Sequence, residues 1–298
     1  MERRSFIKNT ALFAVAVTAT GFIRFDGSRY VGDCETTTDI LGPFYRPDSP
    51  VRNNLRIKGE PGTLIQLKGG VKHKDCITPC KKAVVELWHC SSKGEYDNTS
   101  KEFRYRGTTY TDEQGHYLFN TVLPVPYDVG GGIVRPAHFH MMITAEGYQS
   151  LVTQLYFSGD PHISADASSS SPQAKRRILN VQTLADGTKK VLFNVSISDK
   201  LAVEPAAIDK LTGVYLDEND KSNKTEFFKM NNALWMKNEV FGVNFEYIGN
   251  NSFRYPGVSP GMDFTLQFEI IRSGLIKLTQ RSTDENGEKK VLIALKEK

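Results

Sequence analysis

From about residue 62 onward, apolar and polar residues alternate in short runs, at Ala83–His89, Tyr117–Thr121, Ala137–Thr144, Leu151–Phe157 and Val191–Ile197. Alternation with period 2 is the pattern of strands that cover one face. Turn residues separate the runs, and Asp112-Glu113-Gln114-Gly115 reads as a hairpin-type turn with Gly115 available for positive φ. Many short strands with such punctuation predict an all-β chain whose main unit, residues 27–201, is an antiparallel β-sandwich. Residues 27–60 read as an extended arm with turns at Gly42-Pro43, Pro47-Asp48 and Ser49-Pro50, and Asp166–Ala174 reads as a flexible loop. After a linker over Ala202–Ala207, residues 208–298 read as a second, small β-rich domain. It holds neither histidine nor cysteine, so packing or association is its expected role.

Composition adds little to this picture. A length of 298 residues suits about two domains at ~150 residues each. The net charge of +4 is dispersed along the chain, so a nucleic-acid partner is not expected. The N-terminus says more. Arg3-Arg4-Ser5-Phe6-Ile7-Lys8 precedes an apolar run from Ala11 to Val17. That run falls short of the ~20 residues a membrane span needs and fits a twin-arginine-type signal over residues 1–26. A frayed basic helix is the alternative. The signal reading implies an exported protein, periplasmic or extracellular, without a stable membrane span. In such a protein Cys34, Cys76, Cys80 and Cys90 are expected in disulfides of undetermined pairing. A zinc site from His73, Cys76 and Cys80 is the weaker reading, because no fourth ligand is evident.

The chemistry concentrates in Arg135-Pro136-Ala137-His138-Phe139-His140. Two histidines at i and i+2 of a strand share a face, which makes them a ready chelate for a first-row transition metal. Tyr127 lies shortly before them, and a phenolate is a hard, anionic ligand that points to ferric iron rather than zinc.

The blocks around this core, in order, are Leu41-Gly42-Pro43-Phe44-Tyr45, Val85-Glu86-Leu87-Trp88-His89-Cys90, Gly94-Glu95-Tyr96, Pro124-Val125-Pro126-Tyr127, the Arg135–His140 core and Leu151–Phe157. Over roughly residues 34–200 the chain resembles the intradiol ring-cleavage dioxygenases, the family of catechol, protocatechuate and hydroxyquinol dioxygenases. The resemblance implies Fe(III) held by Tyr96, Tyr127, His138 and His140. It implies that Tyr127 leaves the metal when a catechol binds and takes a proton from it, and that Tyr96 stays. It implies that Arg135 faces the substrate ring with Gln154 behind it, and that Pro43, Phe44 and Tyr45 line the pocket, with Arg46 able to reach an acidic substituent. Two ionised tyrosines and a hydroxide would neutralise Fe(III), as a partly buried site favours. The partners would be a catecholic small molecule and O2, and the product a cis,cis-muconate. Asp97-Asn98 after Tyr96 and the glycine-rich stretch at 130–132 depart from the family's pattern. The chain lacks the long helical N-terminal segment of the catechol 1,2-dioxygenases and looks more like protocatechuate-type or exported stand-alone members. Homo-oligomerisation is left open.

Two other classes compete with the enzyme: a non-enzymatic exported protein that holds catecholates on the same ferric site, and a structural β-sandwich adhesion module without metal. Arg135 and Gln154 favour catalysis, since a binder needs no group to stabilise a carbanion. Tyr117 and Tyr156 are expected to be ordinary aromatics, and His89, His116 and His162 structural or exposed.

Overall fold

The computed structural model describes residues 36–298 except 202, 231, 238–241, 256, 259–261, 272–273, 285 and 298, together with three short upstream strands at Val17–Thr18, Gly21–Phe25 and Tyr30–Asp33. The rest of residues 1–26, read above as a signal, and Cys34 lie outside the described residues.

Twelve strands build the first unit: β1 (Leu64–His73), β2 (Val84–Trp88), β3 (Arg106–Tyr110), β4 (His116–Val122), β5 (Tyr127–Asp128), β6 (Val134–Arg135), β7 (His138–Thr144), β8 (Leu151–Phe157), β9 (Ile178–Leu179), β10 (Gln182–Thr183), β11 (Lys189–Leu192) and β12 (Val195–Ile197). One sheet has the order β9-β8-β7-β2-β3; the other runs β10-β11-β1-β12, with β4 also paired to β1. Most pairs are antiparallel, as expected, but β11 and β12 join β1, and β9 joins β8, in parallel. Inward residues of both sheets, among them Leu67, Val85, Phe119, Phe139, Met141 and Leu155, form the sandwich core.

The run read as one strand over 191–197 is interrupted at Phe193-Asn194. There the Phe193 carbonyl crosses Gly69 so closely that a Cβ at Gly69 would lie 1.7 Å from its oxygen. Only glycine fits that approach.

β7 is buried at every position but its last. Period 2 explains why: Phe139, Met141 and Ile143 enter the core between the sheets, while His138, His140 and Met142 face the other way and are covered by something else. The cover comes from the arm and from the C-terminal unit. Leu41 and Tyr45 of the arm, Trp88, Met142 and Val152 of the sheet, and Trp235 of the second unit form one separate buried cluster.

The C-terminal unit is a closed barrel of eight strands: β13 (Gly213–Asp217), β14 (Lys224–Met230), β15 (Ala233–Met236), β16 (Val243–Gly249), β17 (Ser252–Arg254), β18 (Asp263–Ile270), β19 (Ile276–Thr283) and β20 (Lys289–Lys296). An eight-stranded barrel is just wide enough for side chains to fill. Here Tyr215, Phe227, Phe245, Phe253 and Phe268 do so, with edge-on ring contacts such as Phe227–Phe268 at 5.5 Å. The expected linker is in part helix, α1 (Pro205–Leu211), which starts on a proline and feeds Ile208 and Leu211 into the barrel core.

Candidate metal centre

Each ligand candidate reaches the site by a different local device. His138 and His140 sit on one face of β7, as the i, i+2 spacing requires, and their Nε2 atoms are 3.2 Å apart. At that separation both can reach one ion at about 2.1 Å. Tyr127 forms the two-residue ladder β5·β6, directly opposite Arg135. Tyr96 lies in the loop between β2 and β3. Its hydroxyl is 3.4 Å from His138 Nε2, and its ring meets the Tyr127 ring edge-on at 5.6 Å. The four expected donors therefore converge.

The loop that carries Tyr96 is held by residues whose role the sequence did not reveal. Arg106, 1% exposed, donates to the Asp97 carbonyl at 2.9 Å, to Asn98 Oδ1 at 3.1 Å and to the Phe44 carbonyl at 2.5 Å. Asp97 in turn accepts from the Ser100 and Arg104 amides. The Asp97-Asn98 departure is thus a loop-closing device. Phe44 stacks on the Tyr96 ring at 4.3 Å, where it can line a pocket, and Pro43 beside it is exposed. Tyr45 corrects the expectation. It follows the turn at Pro43-Phe44, packs on Trp88 and places its hydroxyl 3.4 Å from both Glu86 carboxylate oxygens. Arg46 is also committed elsewhere, donating to the Asp97 and Ser100 carbonyls and lying over the Phe103 ring, so it does not reach a substituent.

Tautomers follow from the surroundings. His138 Nδ1 donates to the Pro136 carbonyl at 2.7 Å, which leaves Nε2 bare for a metal. His140 lacks that clamp: its Nδ1 is buried with no hydrogen-bond partner among the described residues. Its ring is located by packing instead, stacked on Trp88 at 5.1 Å and 5° and pressed by Gly42. Burial drives both imidazoles toward the neutral form, His138 to about 3 and His140 well below its ordinary value. The phenols move the other way: burial raises Tyr127 and raises Tyr96 far more, and Arg135 only partly offsets this. Two neutral imidazoles beside two phenols that need a strong cation to ionise near neutral pH are a donor set that fits ferric iron.

Arg135 and Gln154 meet as expected, with Nη2 donating to Oε1 at 2.8 Å. Behind them lies a network that the sequence reading missed. Arg135 Nε donates to Asp166 at 2.6 Å. The Tyr156 hydroxyl sits 2.9 Å from Asp39 and 3.0 Å from Gln154. Asp39 pairs with Arg177, both side chains fully buried. Asp166, read as the start of a flexible loop, is 6% exposed and caps a turn through the Ser169 amide. Tyr156 is buried, as expected of a core aromatic, but its hydroxyl belongs to this network. His89 is structural: it is buried, hydrogen-bonded to the Cys90 carbonyl and Thr121, and pushed down to about 4 by burial. The cysteines differ from expectation. Cys76 is disulfide-bonded, but Cys80 and Cys90 are free and buried. The zinc reading finds no support, since the described residues hold no cluster of three or more His, Cys, Asp or Glu suited to a metal, and His73 is engaged with Tyr148.

Comparison with known proteins gives the family and the fold. Residues 40–198 match the protein family described as Dioxygenase. The chain is 33% identical over 157 residues to chlorocatechol 1,2-dioxygenase of Rhodococcus opacus, a match covering 45% of this chain and 61% of that protein. It is 36% identical over 152 residues to catechol 1,2-dioxygenase of Candida albicans, covering 44% of this chain and 50% of that protein. The chain thus spans between half and two thirds of these relatives' lengths. The fold is shared with the crystal structure of 3-chlorocatechol 1,2-dioxygenase from Rhodococcus opacus 1CP, at a TM-score of 0.50 and 23% identity, over 55% of this chain and 72% of that one.

Proposed function

Because the chain belongs to the intradiol ring-cleavage dioxygenase family, we propose that it is a ferric, non-haem enzyme that opens catechol-type rings between the two hydroxyl-bearing carbons, using O2 and giving a cis,cis-muconate. The observation that carries this reading is the convergence of Tyr96, Tyr127, His138 and His140 beside the Arg135–Gln154 pair.

When bound, ferric iron supplies the positive charge that ionises the phenols and a catechol and makes the aromatic ring reactive toward O2. The remaining steps belong to side chains. His138 and His140, neutral and buried, would hold the ion without adding charge. Tyr96 is braced by Phe44 and by the Arg106-bound loop, so it stays in place. Tyr127 sits on a two-residue strand beside the exposed residues 128–133. Its phenolate oxygen would take a proton from an incoming catechol hydroxyl. Arg135, fixed through Nε by Asp166 and through Nη2 by Gln154, keeps Nη1 without a partner among the described residues. That edge of the guanidinium is available to stabilise negative charge on the ring carbon that O2 attacks. Export by the twin-arginine-type signal, to a periplasmic or extracellular destination, belongs to the same proposal.

The test is oxygen uptake by the iron-loaded protein with catechol, chlorocatechol, protocatechuate and hydroxyquinol, with ultraviolet detection of the muconate. One O2 consumed per catechol opened supports the enzyme. Catechol binding without uptake would instead support the catecholate-holding reading.

A further inference from the structure

We propose that the C-terminal barrel is a clamp on the metal centre: it fixes the arm segment Leu41–Tyr45, and through that segment the position of His140. The inference rests on the ferric reading of the four donors.

The starting observation is the unequal support of the two histidines. His138 is oriented by a hydrogen bond to the Pro136 carbonyl, whereas His140 Nδ1 has no partner among the described residues. A metal-bound imidazole is normally held by a bond at its other nitrogen. Here packing replaces that bond. Trp88 lies parallel to the His140 ring. Gly42, at φ +76°, approaches so closely that a Cβ there would stand 2.8 Å from His140 Cε1. The location of His140 therefore depends on where the arm lies.

The arm is itself held by the barrel. The Leu41 amide donates to the Gly257 carbonyl at 3.3 Å, and Tyr255 packs against the cluster that holds Leu41. Gly257 faces Leu41 so tightly that a Cβ would come within 3.2 Å of the Leu41 Cβ and 2.5 Å of the Tyr255 oxygen. Trp235, 6% exposed, shares the buried cluster with Leu41, Tyr45 and Trp88, and Phe228, Met230, Ala233 and Tyr255 pack around it. Ligand Tyr96 packs against the same cluster. Among the described residues the barrel thus touches no metal donor through a hydrogen bond, yet its edge completes the packing around two of them. Trp235, Tyr255 and Gly257 are positioning residues, not catalytic ones.

The test uses the full-length, iron-loaded chain and the substitutions Gly257→Ala and Trp235→Ala, with Trp235→Phe as the conservative control. Three readouts are taken: the rate at which a chelator extracts iron, the visible phenolate-to-iron absorption band, and hydrogen exchange at the Leu41 amide. Loss of a supporting contact behind a metal ligand typically weakens binding by about 10- to 100-fold. Gly257→Ala and Trp235→Ala should accelerate extraction by that factor, alter the band and expose the Leu41 amide, while Trp235→Phe restores most of each. If Trp235→Ala fails to fold, Gly257→Ala carries the test. Unchanged extraction and band despite faster exchange at Leu41 would overturn the proposal. A wild-type protein that takes up no ferric iron would instead refute the ferric reading. Leu41 exchange would then decide by itself whether the barrel holds the arm.

Discussion

At Gly42 any side chain would collide with the His140 ring and force a left-handed backbone on an L residue. Gly42→Ala should therefore lower iron content at equal protein concentration, measured by metal analysis; full occupancy would show that the arm can yield. The two kinds of ligand should also separate. Tyr127→Phe is expected to keep iron but to lose about 10²- to 10⁴-fold in kcat, the usual worth of a positioned proton acceptor, whereas His140→Ala should lose iron. Full activity in Tyr127→Phe would exclude the base role. Asp166→Asn removes the charge that fixes Arg135. Hydrogen bonds between charged groups are worth about 1.5–3 kcal/mol, so kcat should fall about 10- to 100-fold with iron retained. Equal kcat would mean that Gln154 alone suffices. These residues differ in how they could be found. The histidine pair was legible because strand periodicity is local, and Tyr127, Arg135, Gln154 and Tyr96 because their blocks resemble a family. Asp166, Asp39, Arg106 and Arg177 were not, because each acts through a contact that the sequence does not announce. Asp39 and Arg177, for example, lie 138 residues apart.

At the scale of elements, β2 places Glu86 on the face that turns away from the sandwich core. Glu86 lines a groove between its sheet and the barrel, together with Met142, Thr144 and Trp235. Burial lifts its carboxyl from 4.5 to about 7; the Tyr45 hydroxyl partly opposes the rise, and Asp48 adds to it. A carboxyl whose folded value is raised binds more protons in the folded chain than in the unfolded one. Its contribution to stability is therefore fully present below the unfolded value and is lost as pH rises through the folded one. The cost of ionising it should approach about 1–3 kcal/mol by pH 8. Glu86→Gln should accordingly show a Tm that falls less than wild type between pH 4.5 and 8. Parallel Tm curves would mean that Glu86 is solvated. Element positions were largely legible: Leu151–Phe157 was read to the residue, and β2, β4 and β7 to within two. The break at Phe193-Asn194 was hidden because the apolar pattern runs straight through it, and the reason for it, Gly69, lies on another strand. Asp166–Ala174 was misread because serines suit a loop, and only the distant Arg135 turns that loop into a buried turn.

Over the whole molecule, period-2 patterning and turn residues were enough for a β-sandwich followed by a second β-rich unit. The closure of that second unit was not legible, since a barrel and a small sandwich share the same alternation and differ only in whether the first and last strands pair. Here β13 pairs with β20. Nor was the junction legible, because it depends on Leu41, Trp88 and Trp235, three apolar residues that are individually unremarked. Among the described residues no helix is long and apolar enough to cross a membrane. Across the three scales, an arm, a sheet and a barrel gather the two phenols and two imidazoles proposed to hold one ferric ion. That proposal is tested most directly by the visible absorption spectrum of the iron-loaded protein, recorded without oxygen before and after adding catechol. A phenolate-to-iron band that shifts when catechol binds is the expected result. A protein that stays colourless after iron reconstitution would contradict the ligand set.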